Sequence, residues 1–166
     1  MRYRLDVVAP RVVDAVKFAG GWLVDRVMAG WDVTVLIGID EDVRPLDILG
    51  VETLDLESVL ESWDDRPHPH TVAVAAELFN TDDRVRQGVL NALEQGRTEV
   101  TLWGDGCPDE LSVSPVLHEL SAAARAFKAQ ALTAVDARDA VVGSTEAFRC
   151  GVMSIRSVPA DLIAVG

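Results

Sequence analysis

The sequence predicts a three-layer α/β fold: a mainly parallel sheet with helices on both faces, Rossmann-like in the loose sense. Three observations carry that prediction. Apolar, β-branched runs alternate with stretches that keep the helical period. The apolar content is 49% but only 5% is aromatic, so Val, Ala and Leu dominate, as suits strands buried on both faces. No repeat and no long linker divides the 166 residues, so 1–166 reads as one domain.

The elements follow in order. Tyr3 to Val8 is extended and offers Leu5, Val7 and Val8 to a core. Pro10 suits the first turn of a helix, where its missing N–H is no loss. That helix runs to about Ala29 and stops at Gly30. Val12, Val16, Leu23 and Val27 form one apolar stripe, while Ala15, Phe18 and Trp22 form a second. Gly20 and Gly21 inside it disfavour helix by roughly 1 kcal/mol each relative to Ala, which implies close backbone contact. Trp31 to Ile39 is the strongest strand in the chain. A connection follows, with a helical turn over Pro45 to Leu49, then a strand from Val51 to Leu56 and a short helix through Leu60. Trp63 to His70 is a loop, because each Pro disfavours helix in the residue before it.

Thr71 to Phe79 reads as a buried strand, and Asp82 to Gln95 as a helix capped by Asn80 or Thr81 and closed by Gly96. Thr98 to Trp103 is the next strand, and GDGCPDELSVS is a loop. Ser114-Pro115 opens the longest later helix, with Leu117, Leu120, Ala124, Phe127, Ala131 and Val135 at helical spacing. Ala122, Ala126 and Ala129 make a smooth second strip on it. Val152 to Val165 reads as a C-terminal antiparallel strand pair turning at Pro159.

Net charge is −12 and the pI is near 4.5, which argues against nucleic acid as a partner. No apolar run approaches the roughly 20 residues of a membrane span. Asp6, Arg11 and Asp14 break the apolar core that a signal peptide needs. Cys107 and Cys150 lie far apart with no CxxC, so a disulfide framework is not expected and a reducing cytoplasm is. Lys17 and Lys128 are the sole lysines against thirteen arginines, a bias of high-GC bacterial codons rather than of activity.

The stretch AGWDVTVLIGID, Ala29 to Asp40, resembles the second strand of a dinucleotide-binding unit. A helix closes on Gly, a buried strand follows, and an acid sits at its carboxyl end. The resemblance implies a ribose contact at Asp40 and requires G-x-G-x-x-G after the first strand. Here the first strand enters Ala9-Pro10-Arg11, and no glycine occurs before Gly20. No cofactor is therefore expected.

Asp40-Glu41-Asp42 is a D-x-D after a buried strand, a form that can hold Mg²⁺ with a phosphate ligand. In a parallel sheet the ends after Ile39, Phe79 and Trp103 share one edge. That edge would gather Asp40, Asp42, Asp82, Asp83 and Asp105 as a candidate ligand-binding rim. The competing and favoured reading is that these carboxylates are caps and solvated loop residues. His68, His70 and His118 follow no zinc spacing, so no metal site is expected. Cys107 and His118 pair only if the fold brings them together. No G-x-S-x-G marks a serine nucleophile, and no catalytic residue is assigned.

The surplus apolar surface is the remaining signal. The face carrying Phe18 and Trp22, and the strip of Ala122, Ala126 and Ala129, meet either a neighbouring helix or another subunit. With no complete catalytic set, the sequence points to a cytoplasmic, non-enzymatic module acting by protein association, including with itself. The alternative is a small enzyme or sensor that binds a nucleotide or phosphorylated ligand, with or without Mg²⁺, at the carboxyl edge of the sheet.

Overall fold

The computed structural model describes residues 2–38, 40–108, 113–151 and 162–164. The strands are β1 (Arg4–Val8), β2 (Asp32–Ile37), β3 (Glu52–Asp55), β4 (Thr71–Ala75), β5 (Glu99–Trp103), β6 (Val113–Glu119), β7 (Thr145–Gly151) and β8 (Leu162–Ala164). The helices are α1 (Val12–Met28), α2 (Arg44–Leu49), α3 (Leu56–Glu61), α4 (Ala76–Thr81), α5 (Asp83–Gln95) and α6 (Ala122–Ala134). One eight-stranded sheet runs in the order β3-β2-β1-β4-β5-β7-β6-β8. Its first five strands are parallel, and the last three pair antiparallel. The three-layer, mainly parallel architecture is thus the one the sequence predicts.

Strand alternation divides the core between two faces. Leu5, Val7, Val35, Ile37, Ala73 and Trp103 pack beneath α1, α2 and α6. Val8, Leu36, Val72, Val74 and Leu102 pack beneath α3, α4 and α5.

Three assignments differ from the sequence reading. The strand expected over Thr71 to Phe79 ends at Ala75, and α4 begins at Ala76. Ala, Glu and Leu are good helix formers, and the turn into α4 buries Phe79 completely. The helix expected from Ser114 is instead β6; α6 starts only at Ala122, where the Ser121 hydroxyl accepts from the Ala124 amide at 3.0 Å. Pro115 lies opposite Arg149 of β7, and among the described residues β8 pairs with Val116 to His118. Strand β7 was not expected at all. Of the tail read as a strand pair, Leu162–Ala164 form β8 against β6, and the rest of Val152 to Val165 lies outside the described residues.

The two interior glycines of α1 have different reasons. A Cβ on Gly21 would lie 2.1 Å from Leu120 Cδ2 and 3.3 Å from Glu146 Oε2; on Gly20 it would meet nothing closer than 3.4 Å. Only Gly21 is sterically required. Its bare backbone admits Glu146, whose carboxylate accepts from the amides of Gly21 (2.9 Å) and Trp22 (2.7 Å). Lys128 of α6 donates to the same carboxylate at 2.8 Å and to the carbonyl of Lys17, four residues before Gly21, at 2.8 Å. Glu146 and Lys128 are both buried. Burial pushes the Glu146 carboxyl above its ordinary pKa, against the pull of Lys128 and the two amides.

Asp82 caps α5 by accepting from the amides of Arg84 (2.9 Å) and Val85 (3.3 Å). The Arg84 side chain, then these amides, hold its pKa below the ordinary 3.8.

Gly21→Ala is expected to destabilise the chain by about 3 kcal/mol through overpacking against Leu120, whereas Gly20→Ala should be neutral or slightly stabilising. Urea unfolding of the two variants checks this; equal effects would contradict the assignment. Asp82→Ala is expected to cost about 1 kcal/mol near neutral pH. A depressed folded-state pKa means that this contribution is full above 3.8 and is lost as pH falls through the lowered value. The gap between Asp82→Ala and wild-type unfolding midpoints should therefore narrow in strong acid.

Candidate functional site at the strand switch point

The chain turns to opposite faces after β1 and β4, which lie side by side. After β1 it enters α1 on one face, and after β4 it enters α4 on the other. Such a reversal leaves a crevice beyond the carboxyl ends of the strands, where α/β sheets bind ligands.

Arg11 stands at the mouth of this crevice, in extended conformation (φ −145, ψ 148) just before α1. Its Nη2 contacts Asp14 Oδ2 at 2.6 Å and the two Glu77 oxygens at 3.1 and 3.0 Å. Glu77 foremost, and Asp14 with it, raise the Arg11 pKa, so the guanidinium is permanently charged. Asp14 projects from the first turn of α1 and Glu77 from the first turn of α4, so one cation ties the two diverging helices. The Val12 amide, which opens α1, donates to Glu41 Oε1 at 2.9 Å. A protein carboxylate thus takes an amide that a helix N-terminus would otherwise offer to an anionic ligand.

A cavity of about 120 Å³ opens beside Arg11, Asp14 and Glu77, with Phe18, Trp103 and Asp105 on its other walls. Phe18, Trp103, Gly104 and Asp105 also border a larger trough of about 400 Å³ that continues over β6 and β7. The Trp103 indole is fixed by donating to the Ala73 carbonyl at 3.2 Å, and the Phe18 ring lies 6.1 Å from it. Gly104 and Gly106 adopt φ of +83 and +86, which turn the chain sharply past the trough. Asn80 of α4 holds that turn by donating to the Gly106 carbonyl at 2.7 Å. Cys107 is half-buried on the trough wall, and burial raises its thiol pKa, which disfavours a reactive thiolate.

Of the acidic rim read from the sequence, Asp105 lines both cavities. Asp40 lies exposed in the turn after β2. Asp42 is bound by Arg44 at 2.7 Å, and Asp82 caps α5. None of these three borders the crevice cavities. The two other acids that border the smaller cavity, Asp14 and Glu77, were not singled out, nor was Arg11. Arg11 and Glu77 stand 66 residues apart and match no motif, whereas Arg11 and Asp14 have a readable i,i+3 spacing.

The apolar faces separate in the same way. Phe18 lines the crevice, but Trp22 is only 1% exposed and packs 4.7 Å from Phe148, so it cannot serve as an interface residue. Ala122, Ala126 and Ala129 are exposed on α6, while Ala124, Lys128, Ala131 and Leu132 turn inward.

The histidines lie elsewhere. His70 Nδ1 accepts from the Arg4 amide at the start of β1, and His118 pairs with Asp25 at 2.7 Å. Among the described residues no cluster of His, Cys, Asp and Glu is arranged to hold a metal ion, and no helix is long and apolar enough to cross a membrane.

No family model and no curated protein matches the sequence. Solved structures do. The zinc-inhibited form of teicoplanin deacetylase Orf2 superposes with a TM-score of 0.67 at 15% identity, over 93% of this chain and 100% of that one. The A40926 pseudoaglycone deacetylase Dbv21 gives 0.64 at 20% identity, over 95% and 100%. A deacetylase–teicoplanin complex gives 0.62 at 14% identity, over 98% and 99%. These neighbours are enzymes, which overturns the expectation of a non-enzymatic module defined by protein association. At these identities the likeness is one of fold, and the fold of this chain is that of the deacetylases.

Proposed function

We propose that this chain is a small enzyme acting on an acylated small molecule in the switch-point crevice. The observation that carries the reading is the crevice itself, which joins a charged end at Arg11, Asp14 and Glu77 to an apolar trough at Phe18 and Trp103. Small-molecule sites combine apolar walls with a few fixed polar groups in this way. The deacetylase neighbours supply the reaction class: transfer of an acyl group to water.

The polar groups divide into held and free. Asp14 and Glu77 are pinned by Arg11, and Glu41 is spent on the Val12 amide. Among the described residues no hydrogen bond or ion pair engages Asp105, which is exposed at the junction of the two cavities. It is the carboxylate available as general base. Water adds to the acyl carbonyl as Asp105 takes its proton, the acyl–nitrogen bond breaks, and the proton passes to the leaving amine. The trough holds the apolar body of the substrate and keeps bulk water from it.

Incubation with N-acetylated amino-sugar glycosides carrying alkyl or aryl groups, read by mass spectrometry, tests the proposal. Acyl release is expected, and Asp105→Asn should lower its rate by about a hundredfold or more while ligand-induced melting shifts persist. Neither release nor a melting shift at millimolar ligand would count decisively against it.

A further inference from the structure

The zinc-inhibited neighbour raises the question of whether this crevice takes a metal ion. Its donor set does not fit one. Zinc sites use imidazole, thiolate and carboxylate donors at about 2.0–2.3 Å around one point. Among the described residues no histidine lines the smaller cavity, and Asp14 Oδ2 and both Glu77 oxygens already converge on the Arg11 guanidinium. Glu41 is turned to the Val12 amide, and Asp105, the remaining acid on the cavity wall, would be a lone carboxylate donor, because among the described residues no three His, Cys, Asp or Glu side chains are grouped to hold an ion. A divalent ion drawn to Asp14 and Glu77 would lie against a fixed positive charge.

We infer that the Arg11 guanidinium is the resident cation of this crevice, and that the crevice operates without a divalent metal. This deepens the enzymatic reading above and rests on it only for the identity of the ligand. All contacts recorded for Arg11 among the described residues fall on Nη2. Nε and Nη1 keep their N–H donors on a side chain that is 53% exposed beside the cavity. A guanidinium edge of this kind donates to a carbonyl or carboxylate oxygen of a ligand, in a fixed plane that a metal ion would not impose. The chemical class that follows is an acyl or carboxyl group oriented by charge-assisted hydrogen bonds.

Zinc uptake by the intact chain tests this without any substrate, so its outcome is separate from that of the acyl-release experiment. After dialysis against zinc, metal analysis is expected to find no stoichiometric ion in the wild type or in Arg11→Lys, which retains the charge. Arg11→Ala should bind zinc about tenfold more tightly than wild type, and adding Asp14→Asn should abolish that gain. Circular dichroism on each variant confirms that the fold is intact. Zinc retained by the wild type but indifferent to Asp14→Asn and Glu77→Gln lies outside the crevice and agrees with the inference. Stoichiometric zinc in the wild type that Asp14→Asn removes would overturn it. So would the absence of any gain in Arg11→Ala, or an equal gain in Arg11→Lys.

Discussion

The buried pair Glu146–Lys128, seated on the backbone of α1, is the constraint on which the rest of the structure depends. Glu146 comes from β7, Lys128 from α6, and the amides and carbonyl they engage belong to the middle of α1. The consecutive elements α6 and β7 therefore meet the sequence-distant α1 at one polar point inside an apolar core. A buried charge is tolerable only when paired and fully hydrogen-bonded, and here each partner satisfies the other together with helix backbone. Gly21 is the local condition for this arrangement, since any side chain there would strike Leu120 and crowd Glu146. The neighbouring His118–Asp25 contact ties β6 to the same helix.

The crevice inherits its geometry from that clamp. The same helix carries Asp14 and Phe18 on its opening turns, just after Arg11, and the clamp fixes it against the antiparallel strands that floor the trough. At the open end Arg11 joins α1 to α4 through Asp14 and Glu77, so the two helices that diverge at the switch point are held by one guanidinium. Across the cavity, Asp105 is engaged by no hydrogen bond or ion pair among the described residues. Charge, shape and an available carboxylate thus converge where sheets of this kind place ligands. The Val12–Glu41 bond takes the first amide of the helix N-terminus that a nucleotide diphosphate would use, and sets a carboxylate beside it.

Much of the fold was legible in the sequence because it rests on local period. The strand Trp31 to Ile39, the long first helix and the Gly96 stop all carry dense local signals, and the structure places β2, α1 and α5 there. The C-terminal third misled for a physical reason. Leu117 and Leu120 continue the spacing of Ala124, Phe127 and Ala131, so strand, turn and helix read as one periodic segment. What makes β6 a strand is its pairing with β7 some 30 residues later, a tertiary fact without local trace. Within the crevice, Asp105 was legible as an acid after a buried strand. Arg11 and Glu77 were not, because their meaning lies in contact across 66 residues. Gly20-Gly21 did signal close approach, but which glycine was required depended on Leu120 and Glu146.

Urea unfolding of Lys128→Met, Glu146→Gln and the double variant is the measurement that bears most directly on the clamp. Each single substitution leaves a buried charge or buried amides without their partner, and should cost about 3–5 kcal/mol. The double variant should fall short of the sum by about 1 kcal/mol or more, because the two side chains act as one unit. Single effects within about 0.5 kcal/mol of wild type, or strict additivity, would contradict a structure organised around this pair.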